Sequence, residues 1–308
     1  MAKLTQKQKT EVIPAEIARY FNENNANQVT LAELAGIDKA FVNQIAQGKT
    51  HIGTTEIKDK YYEAIARAIG LKITPEYWQH FNTWNFKQGI LALEKAKANK
   101  ERVGIDGDTG MGKTYLSTIF KRKYAKSVIL VKCSGIENSK EFAVNFAAAC
   151  GADTIGTKGK LIKNACAKIR QMDGDILVII DEFENSKAGN IPTIKAIADE
   201  LEGHAGVAVI GIDVQKMLEK TAQRRKQGFI QVNRRWSFTW TKLDGDISDD
   251  ILQICQALGI TVKSAQNWLM SRVHDFDSLK NICTAALEEA EKSGRPVNAE
   301  LLNELYPM

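Results

Sequence analysis

The sequence predicts an α/β fold with a buried parallel sheet and a helical region on either side of it. Three observations support this prediction. Short apolar runs alternate with amphipathic segments between residues 87 and 244, which is typical of parallel strands covered by helices. A glycine-rich loop ending in Lys-Thr lies between one such run and the helical segment after it. The first 72 residues and those from 245 onward show only helical periodicity.

The composition is typical of a soluble globular protein. The 308 residues allow two or three domains, and 44% hydrophobic with 26% charged residues is ordinary for this class. No apolar run approaches the roughly 18–20 residues that cross a bilayer, and the N-terminus has no apolar signal segment. The five cysteines form no C-x-x-C pair, and the four histidines show no metal-ligand spacing. We therefore expect a cytoplasmic protein with reduced thiols and no membrane partner. The net charge of +5 permits a polyanionic partner.

Four regions are predicted along the chain. They are a helical domain over 1–72, an aromatic connector over 73–86, the α/β core over 87–244 and a helical C-terminal subdomain over 245–308. In the first region, helices are expected over 11–25, 30–36, 38–48 and 54–70. In the core, strands are expected over 102–106, 127–134, 175–182 and 206–213, with helices over 86–99, 112–125, 141–152, 160–172 and 191–203.

Residues 30–45 of the first region fit a helix-turn-helix. Leu31, Leu34 and Ala35 are expected to face inward on the first helix, and Gly36 permits the tight turn. Asn and Gln side chains can bind adenine edges, and lysines can bind phosphate or guanine. The predicted DNA-binding residues, on and just after the second helix, are Lys39, Asn43, Gln44, Gln47 and Lys49. The alternative is a helical module that binds protein.

The glycine-rich loop matches the pattern G-x-x-x-x-G-K-[ST] at each fixed position. Such a loop turns backbone N–H groups toward a phosphate, its lysine reaches the β- and γ-phosphates, and its hydroxyl residue binds Mg²⁺. The helix that follows adds its positive N-terminal end. The predicted ATP-binding residues are therefore Gly107, Asp108, Thr109, Gly110, Met111, Gly112, Lys113 and Thr114. The alternative is a purely structural glycine turn.

A second element lies about 70 residues further along the chain. Five apolar residues, Ile176–Ile180, lead into Asp181 and Glu182. In a nucleotide-hydrolysing fold, Asp181 together with Thr114 would hold Mg²⁺, and Glu182 would deprotonate the attacking water. Glu184 is the next candidate for the base. The alternative is an acidic pair that simply begins a loop.

These motifs together resemble the AAA+ ATPases. Within them, the order of helix-turn-helix, ATPase core and helical C-terminal domain resembles the family of transposition proteins to which bacteriophage Mu B belongs. The resemblance implies an AAA+ P-loop core with a parallel sheet, an N-terminal helix-turn-helix domain and a C-terminal helical lid. It also implies a bacterial or phage-encoded protein that binds ATP and Mg²⁺.

The resemblance implies roles for three further positions. A polar sensor is expected at the end of the strand over 206–213, but Ile212 stands there, followed by Asp213. The segment FIQVNRRWSFTW corresponds to the stretch in which an arginine reaches a neighbour's γ-phosphate, so Arg235 or Arg234 is the candidate. The alternative for this arginine is a surface or DNA contact. Lys280 corresponds to a second sensor that contacts the nucleotide, or it is a solvated lysine.

The function predicted in this way is that of an ATPase that oligomerises on double-stranded target DNA and activates a transposase. The expected partners are DNA, further copies of the chain and the transposase. Three basic runs in the core would add contacts to the phosphate backbone, or they are solvated faces: Lys95, Lys97, Lys100 and Arg102; Lys121, Arg122, Lys123 and Lys126; Arg224, Arg225 and Lys226. Two other functions fit the same motifs, a helicase loader of the AAA+ class and a nucleotide-sensing transcription regulator.

Overall fold

The chain divides into two compact units, residues 1–80 and residues 81–308. The computed structural model describes residues 4–71, 77–186, 190–223, 236 and 239–307. The division falls within the segment predicted as an aromatic connector. The last part of that segment belongs to the second unit, in which the first helix begins at Trp84, two residues before the predicted start.

The first unit is a small helical domain with one hairpin. Its helices enclose a core of aliphatic side chains and one tyrosine, including Ile13, Leu31, Val42, Ile45 and Tyr62. A π-helical turn over Gln8–Val12 precedes α1 (Ile13–Asn24), which is followed by α2 (Gln28–Ala35), α3 (Lys39–Ala46), β1 (His51–Ile52), β2 (Thr55–Glu56) and α4 (Asp59–Ala68).

The prediction of one helix over 54–70 is wrong in its first part. β1 and β2 form an antiparallel hairpin there, and α4 begins only at Asp59. Gly53 has φ 60° and opens the two-residue turn, a conformation that glycine adopts without strain. The glycine between Ile52 and the β-branched Thr54-Thr55 pair is the sequence signal that favours a hairpin over a helix.

The helix-turn-helix region also differs in one orientation. Leu34 is 58% exposed rather than inward-facing, whereas Leu31 and Ala32 are buried. The buried stripe of α2 is centred between positions 31 and 32 and continues to position 35. At 100° per residue, Leu34 falls on the flank of that stripe. Gly36 ends the helix in a left-handed conformation, as expected.

The second unit is built on a five-stranded parallel sheet with the order β4-β5-β6-β3-β7. Its elements are α5 (Trp84–Asn99), β3 (Arg102–Asp106), α6 (Lys113–Lys123), β4 (Val128–Lys132), α7 (Ser139–Ala149), α8 (Lys158–Arg170), β5 (Ile176–Asp181), a 3₁₀ turn (Phe183–Asn185), α9 (Ile191–Glu200), β6 (Ala205–Gly211), α10 (Val214–Gln223), β7 (Trp240–Lys242), α11 (Ser248–Leu258), α12 (Lys263–Arg272), α13 (Phe276–Ser293) and α14 (Ala299–Leu305). The α/β fold with a parallel sheet, predicted from the apolar runs, is confirmed.

The centre of the sheet carries the most apolar strands. Each residue of β5 and of β6 is buried, because helices cover both faces of a parallel sheet. Registers between neighbouring strands bring their carboxyl ends to one edge, with Asp106 of β3 opposite Gly211 of β6. Among the described residues, none of the helices combines the length and the apolar character needed to cross a membrane.

β7 was not predicted as a strand. It has only three residues, and its pairing with β3 places Trp240 opposite Gly104. A side chain at Gly104 would approach the Trp240 ring to 2.3 Å, so the glycine is what lets the indole lie over the strand. From Ser248 onward the described chain is helical, in agreement with the prediction for the C-terminal region.

Candidate functional site

The site lies at the carboxyl edge of the sheet, where β3, β5 and β6 end. Parallel strands place their carboxyl ends together, and loops at such an edge commonly bind ligands. Here the edge brings together the loop after β3, the Asp-Glu pair after β5, and Gly211 at the end of β6. The sequence predicted the first two of these.

The two fixed glycines of the pattern, Gly107 and Gly112, and the additional Gly110 each have a structural reason. Gly107 is tight against Leu243, whose Cβ would lie 2.9 Å from an added Cβ, and its N–H donates to the Gly211 carbonyl at 3.3 Å. Gly110 and Gly112 have φ of 75° and 81°, in the left-handed region. Gly112 directly precedes α6, so the loop leads into a helix N-terminus. This arrangement can bind an anion through backbone N–H groups.

The other predicted loop residues divide by burial. Asp108 and Thr109 are exposed, whereas Met111 is buried beneath the loop and lies 3.8 Å from the Asn85 amide nitrogen. The Asn85 side chain also forms two hydrogen bonds of 2.8 Å with the main chain of Asp244. Its amide donates to the Asp244 carbonyl, and its Oδ1 accepts from the Asp244 N–H. Met111 therefore anchors the loop on α5 through packing, while Asp108 and Thr109 remain open to solvent.

Lys113 is the first residue of α6, and its side chain is buried under the loop. Nζ donates to the carbonyl oxygens of Gly107 at 2.8 Å and of Asp108 at 2.7 Å. Burial lowers the pKa of Lys113, and the negative charges of nearby carboxylates oppose this shift: Glu184, Asp106, Asp181 and Asp108, in decreasing order. The ammonium is thus held in the loop among acidic groups, where it can bind an anionic ligand.

Asp181 is almost fully buried at the end of β5. Its Oδ2 accepts a 2.6 Å hydrogen bond from the Ser117 hydroxyl, and its Oδ1 accepts one of 2.9 Å from the Glu182 N–H. Burial raises the pKa of Asp181, and these hydrogen bonds oppose that effect. Ser117 was not predicted as a site residue. The sequence feature that could have indicated Ser117 is its position one helical turn after Thr114 on an amphipathic helix.

Thr114 and Asp181 were predicted to hold Mg²⁺. Thr114 is exposed on the first turn of α6, and Ser117 lies one turn further, in contact with Asp181. The Ser117 hydroxyl thus contacts the buried carboxylate, and Thr114 adds a second, exposed hydroxyl residue on the turn before it. Oxygen donors of this kind fit the preference of Mg²⁺ for hard ligands.

The two glutamates after β5 point in different directions. Glu182 has φ 56°, a left-handed conformation that is uncommon for a residue with a side chain, and its carboxylate lies 3.6 Å from Lys132 Nζ at the end of β4. Glu184 turns to the other side, where its Oε2 accepts a 3.2 Å hydrogen bond from the Ile212 N–H. Buried Phe183 separates the two.

The C-terminal helices contact the loop directly. The Phe276 N–H at the start of α13 donates to the Gly110 carbonyl at 2.9 Å, and an added Cβ on Gly110 would lie 2.5 Å from the Asp275 Cβ. Lys280 is exposed on α13, four residues after Phe276 and therefore on the same side of the helix. This places it on the helix face that begins at the loop.

The remaining positions implied by the resemblance are less informative. Ile212 contributes its backbone N–H to Glu184, and exposed Asp213 pairs with Lys216 at 2.7 Å, so neither presents a polar sensor side chain in this arrangement. Arg234 and Arg235 lie outside the described residues, as do Arg224, Arg225 and Lys226.

The predicted DNA-binding residues belong to the first unit and lie on or just after α3. Lys39, Gln47 and Lys49 are exposed, and Gln44 is partly exposed. The side-chain Oδ1 of Asn43 accepts hydrogen bonds from the Gln47 side-chain amide at 2.9 Å and from the Gln28 side-chain amide at 3.1 Å. The structure thus fixes the position of Asn43 among these polar side chains.

Several lysines and arginines of the core are already engaged within the protein. Lys121 donates to the Ala125 and Val128 carbonyls, and Lys123 pairs with Glu94 at 2.7 Å. Arg102 lies 3.4 Å from Glu202, and Lys95 lies 3.9 Å from Glu101. These contacts favour the interpretation of the first two basic runs as structured faces over that of a continuous DNA groove.

Comparisons with known proteins agree with this geometry. A protein family described as AAA domain matches residues 99–220, which include the loop, β5 and β6. No curated protein matches the chain. Among solved structures, the Orc1 protein of Aeropyrum pernix in complex with DNA has a TM-score of 0.53 and 14% identity, over 73% of this chain and 65% of that chain.

Two further structures are similar at lower scores. Cdc6p from Pyrobaculum aerophilum has a TM-score of 0.49 and 16% identity, over 69% of this chain and 62% of that one. Domain III of the Thermotoga maritima replication initiation protein DnaA has a TM-score of 0.49 and 17% identity, over 76% of this chain and 97% of that one. The chain thus matches less than two thirds of the Orc1 and Cdc6p chains.

Such low identities concern the fold alone, and the Orc1 structure agrees with the parallel sheet described above. The family match covers the glycine loop and the four strands from β3 to β6. The chain therefore has an α/β fold that matches the AAA+ P-loop core, and its residues 99–220 are similar to the AAA domain family.

Proposed function

We propose that this protein is an ATPase that assembles on double-stranded DNA in its ATP-bound form and delivers that DNA to a transposase. The observation that carries the proposal is the meeting of Lys113, Asp181 and Glu184 beside one glycine loop, with Glu182 at the same edge of the sheet, within the residues similar to the AAA domain family. This set supplies a cation for phosphates, oxygen ligands for a metal, and carboxylates that can accept a proton.

The hydrolysis reaction follows from the chemistry of these side chains. Loop N–H groups and the Lys113 ammonium bind the β- and γ-phosphates. Thr114 and Asp181 would hold Mg²⁺, with Ser117 orienting the aspartate, and the ion would supply positive charge beside the phosphates. Glu182 accepts a proton from water as the water oxygen bonds to the γ-phosphorus and the bond to the bridging oxygen breaks.

Glu182 has two positions in this proposal, one paired with Lys132 and one in contact with the attacking water. Because the ammonium lies on the β4 side of the carboxylate, Glu182 must leave this pair to reach a water at the loop. Both side chains are more than a third exposed, so the pair costs little to break. Lys280 on α13 and Arg234 or Arg235 of a neighbouring copy complete the site.

DNA binding is assigned to α3 of the first unit. Lys39 and Lys49 contact phosphates, and the amide side chains of Asn43, Gln44 and Gln47 contact bases. The Orc1 structure with a similar fold was determined with DNA, which supports a DNA-linked role for this one. ATP bound between copies favours assembly on DNA, and hydrolysis releases it.

A helicase loader of the AAA+ class remains the second candidate, because the glycine loop and the carboxylates at the end of β5 fit that function equally well. The presence of a helix-turn-helix region in the first unit favours the transposition role. Pull-down against a purified transposase and a purified replicative helicase separates the two functions. Capture of the transposase only with ATP supports the proposal, and capture of the helicase alone contradicts it.

Electron microscopy on long duplex DNA tests the assembly itself. With a non-hydrolysable ATP analogue, we expect ordered oligomers that coat the duplex. Without nucleotide we expect little coating, and chelation of Mg²⁺ is expected to stop hydrolysis. A protein that occupies one short sequence irrespective of nucleotide would instead be a transcription regulator.

A further inference from the structure

The chain after β5 sends two carboxylates to opposite sides of one buried side chain. Phe183 is buried and begins a 3₁₀ turn that is closed by a hydrogen bond from the Ser186 N–H to the Phe183 carbonyl at 2.9 Å. Glu182 and Glu184 flank this anchor. Glu182 lies on the β4 side, next to Lys132. Glu184 lies on the other side, next to the end of β6, to which the glycine loop is bonded.

The end of β6 is shaped to receive the Glu184 carboxylate. Its Oε2 accepts the hydrogen bond from the Ile212 N–H, and it would lie 2.3 Å from a Cβ placed on Gly211. Gly211 is therefore the residue that makes room for the carboxylate. The carbonyl of the same Gly211 accepts the hydrogen bond from Gly107, the first residue of the loop. Glu184 thus lies against Gly211, the residue that is hydrogen-bonded to the start of the loop.

The charge of Glu184 also faces the loop lysine. It acts on the Lys113 ammonium more strongly than do Asp106, Asp181 or Asp108. Among the described residues, however, Nζ has no carboxylate at ion-pair distance, because its hydrogen bonds go to loop carbonyls. The Glu184 carboxylate therefore lies at the end of β6, which is hydrogen-bonded to the start of the loop, and it leaves the ammonium unpaired for a phosphate.

A carboxylate in this position can only accept hydrogen bonds. Against a bare phosphate it would be repulsive, so a hydrogen-bond donor must lie between the two. The nucleophilic water is the donor that hydrolysis requires at that point. Directly after β6, the apolar Ile212 occupies the place where a polar side chain was expected, so that position offers no side chain for this task.

We propose that Glu184 orients the attacking water from the β6 side of the site, while Glu182 takes its proton. This inference rests on the proposed ATPase function. The water oxygen bonds to the γ-phosphorus, the bond from that phosphorus to the bridging oxygen breaks, and one proton passes to Glu182. The second hydrogen stays on the new phosphate oxygen and is held by Glu184.

The test compares Glu184→Gln with Glu182→Gln and with the double variant. The glutamine amide oxygen can still accept the Ile212 N–H bond, so the fold and ATP affinity are expected to remain within about twofold of wild type, while kcat falls at least about tenfold. Because both residues act on one water, the double variant is expected to lose less than the product of the single losses. Asp175→Asn, at the exposed start of β5, is the control and is expected to keep its turnover.

The outcomes separate this inference from the function on which it rests. A Glu184→Gln variant with turnover near that of wild type overturns the inference, and so does one that loses stability and ATP affinity together with kcat. If wild type shows ATP hydrolysis that Lys113→Ala abolishes, the proposed function stands in either case. If wild type with Mg²⁺ and DNA hydrolyses no ATP, both are overturned.

Discussion

Single residues at the edge of the sheet owe their chemistry to their surroundings. Three carboxylates lie within four positions at the end of β5. Asp181 is buried against Ser117, Glu182 pairs with Lys132, and Glu184 accepts a hydrogen bond from the residue after β6. Burial raises the pKa of the first, whereas the other two are partly exposed. Each is therefore suited to a different task, namely metal binding, proton acceptance or water orientation.

Lys113→Ala is expected to abolish ATP binding. The ammonium is the cation that the loop carbonyls hold beneath the proposed phosphate position. Titration with a fluorescent ATP analogue measures the loss. Lys163→Ala, at an exposed position of α8, is the matched control and should bind as wild type does. Normal affinity in Lys113→Ala would rule out the site.

Glu182→Gln is expected to separate binding from chemistry. It keeps the size of the side chain and removes the base, so ATP and Mg²⁺ still bind while turnover falls by about 10²-fold or more. Steady-state phosphate release and equilibrium ATP binding are the two measurements. The trapped ATP state should hold DNA longer than wild type does. Turnover at the wild-type rate would show that Glu182 is not the base.

At the scale of elements, the glycine loop is held between the sheet and the C-terminal helices. Gly107 bonds to the end of β6, Gly110 accepts from the start of α13, and Met111 packs on α5. A loop with three such attachments is pre-organised, which lowers the entropy cost of binding a ligand. Movement of α13 therefore changes the loop directly through Gly110 and Phe276.

A comparison of Gly110→Ala with Gly112→Ala tests this attachment. Both residues have positive φ, so each substitution costs about 1 kcal/mol or more in backbone strain. Only Gly110 also faces a neighbour, because its new Cβ would lie 2.5 Å from Asp275, whereas nothing lies within 4 Å of one at Gly112. Thermal unfolding should therefore show the larger loss for Gly110→Ala. Equal losses would mean that α13 does not constrain the loop.

The elements also show what the sequence could and could not predict. β3, β5 and β6 were predicted because buried parallel strands are continuous apolar runs. β7 has three residues, and β1 and β2 have two each, which is too short for a periodicity to emerge. Local pattern thus predicts long elements well and short ones badly.

The site was predictable where a residue's role depends on its neighbours in sequence. The loop and the pair Asp181-Glu182 meet at one edge, as their spacing indicated. The contact of Ser117 with Asp181 and the direction of Glu184 depend on packing and on the left-handed turn at Glu182, which the sequence does not show. For the same reason Leu34 was placed on the wrong face of α2.

At the scale of the whole molecule, the proposed ATP site between copies requires several copies that act together. If Arg235 or Arg234 reaches a neighbour's nucleotide, alanine at that arginine lowers hydrolysis but leaves ATP binding by one copy unchanged. Mixing this variant with Glu182→Gln should restore activity. In a mixed interface, the Glu182→Gln copy supplies the arginine and the arginine variant supplies Glu182, so one complete site forms. The rate of phosphate release across mixing ratios measures it. No recovery, with mixed oligomers shown to form, would assign these arginines to DNA or to structure.

We propose that ATP controls DNA binding, so the affinity for DNA should depend on the bound nucleotide. Affinity for a long duplex of unrelated sequence is measured at fixed salt with a non-hydrolysable ATP analogue, with ADP and without nucleotide, for wild type and for Lys113→Ala. We expect at least about tenfold tighter binding by wild type with the analogue than with ADP, and no nucleotide effect in Lys113→Ala. Equal DNA affinity of wild type in all three conditions would show that ATP does not control DNA binding.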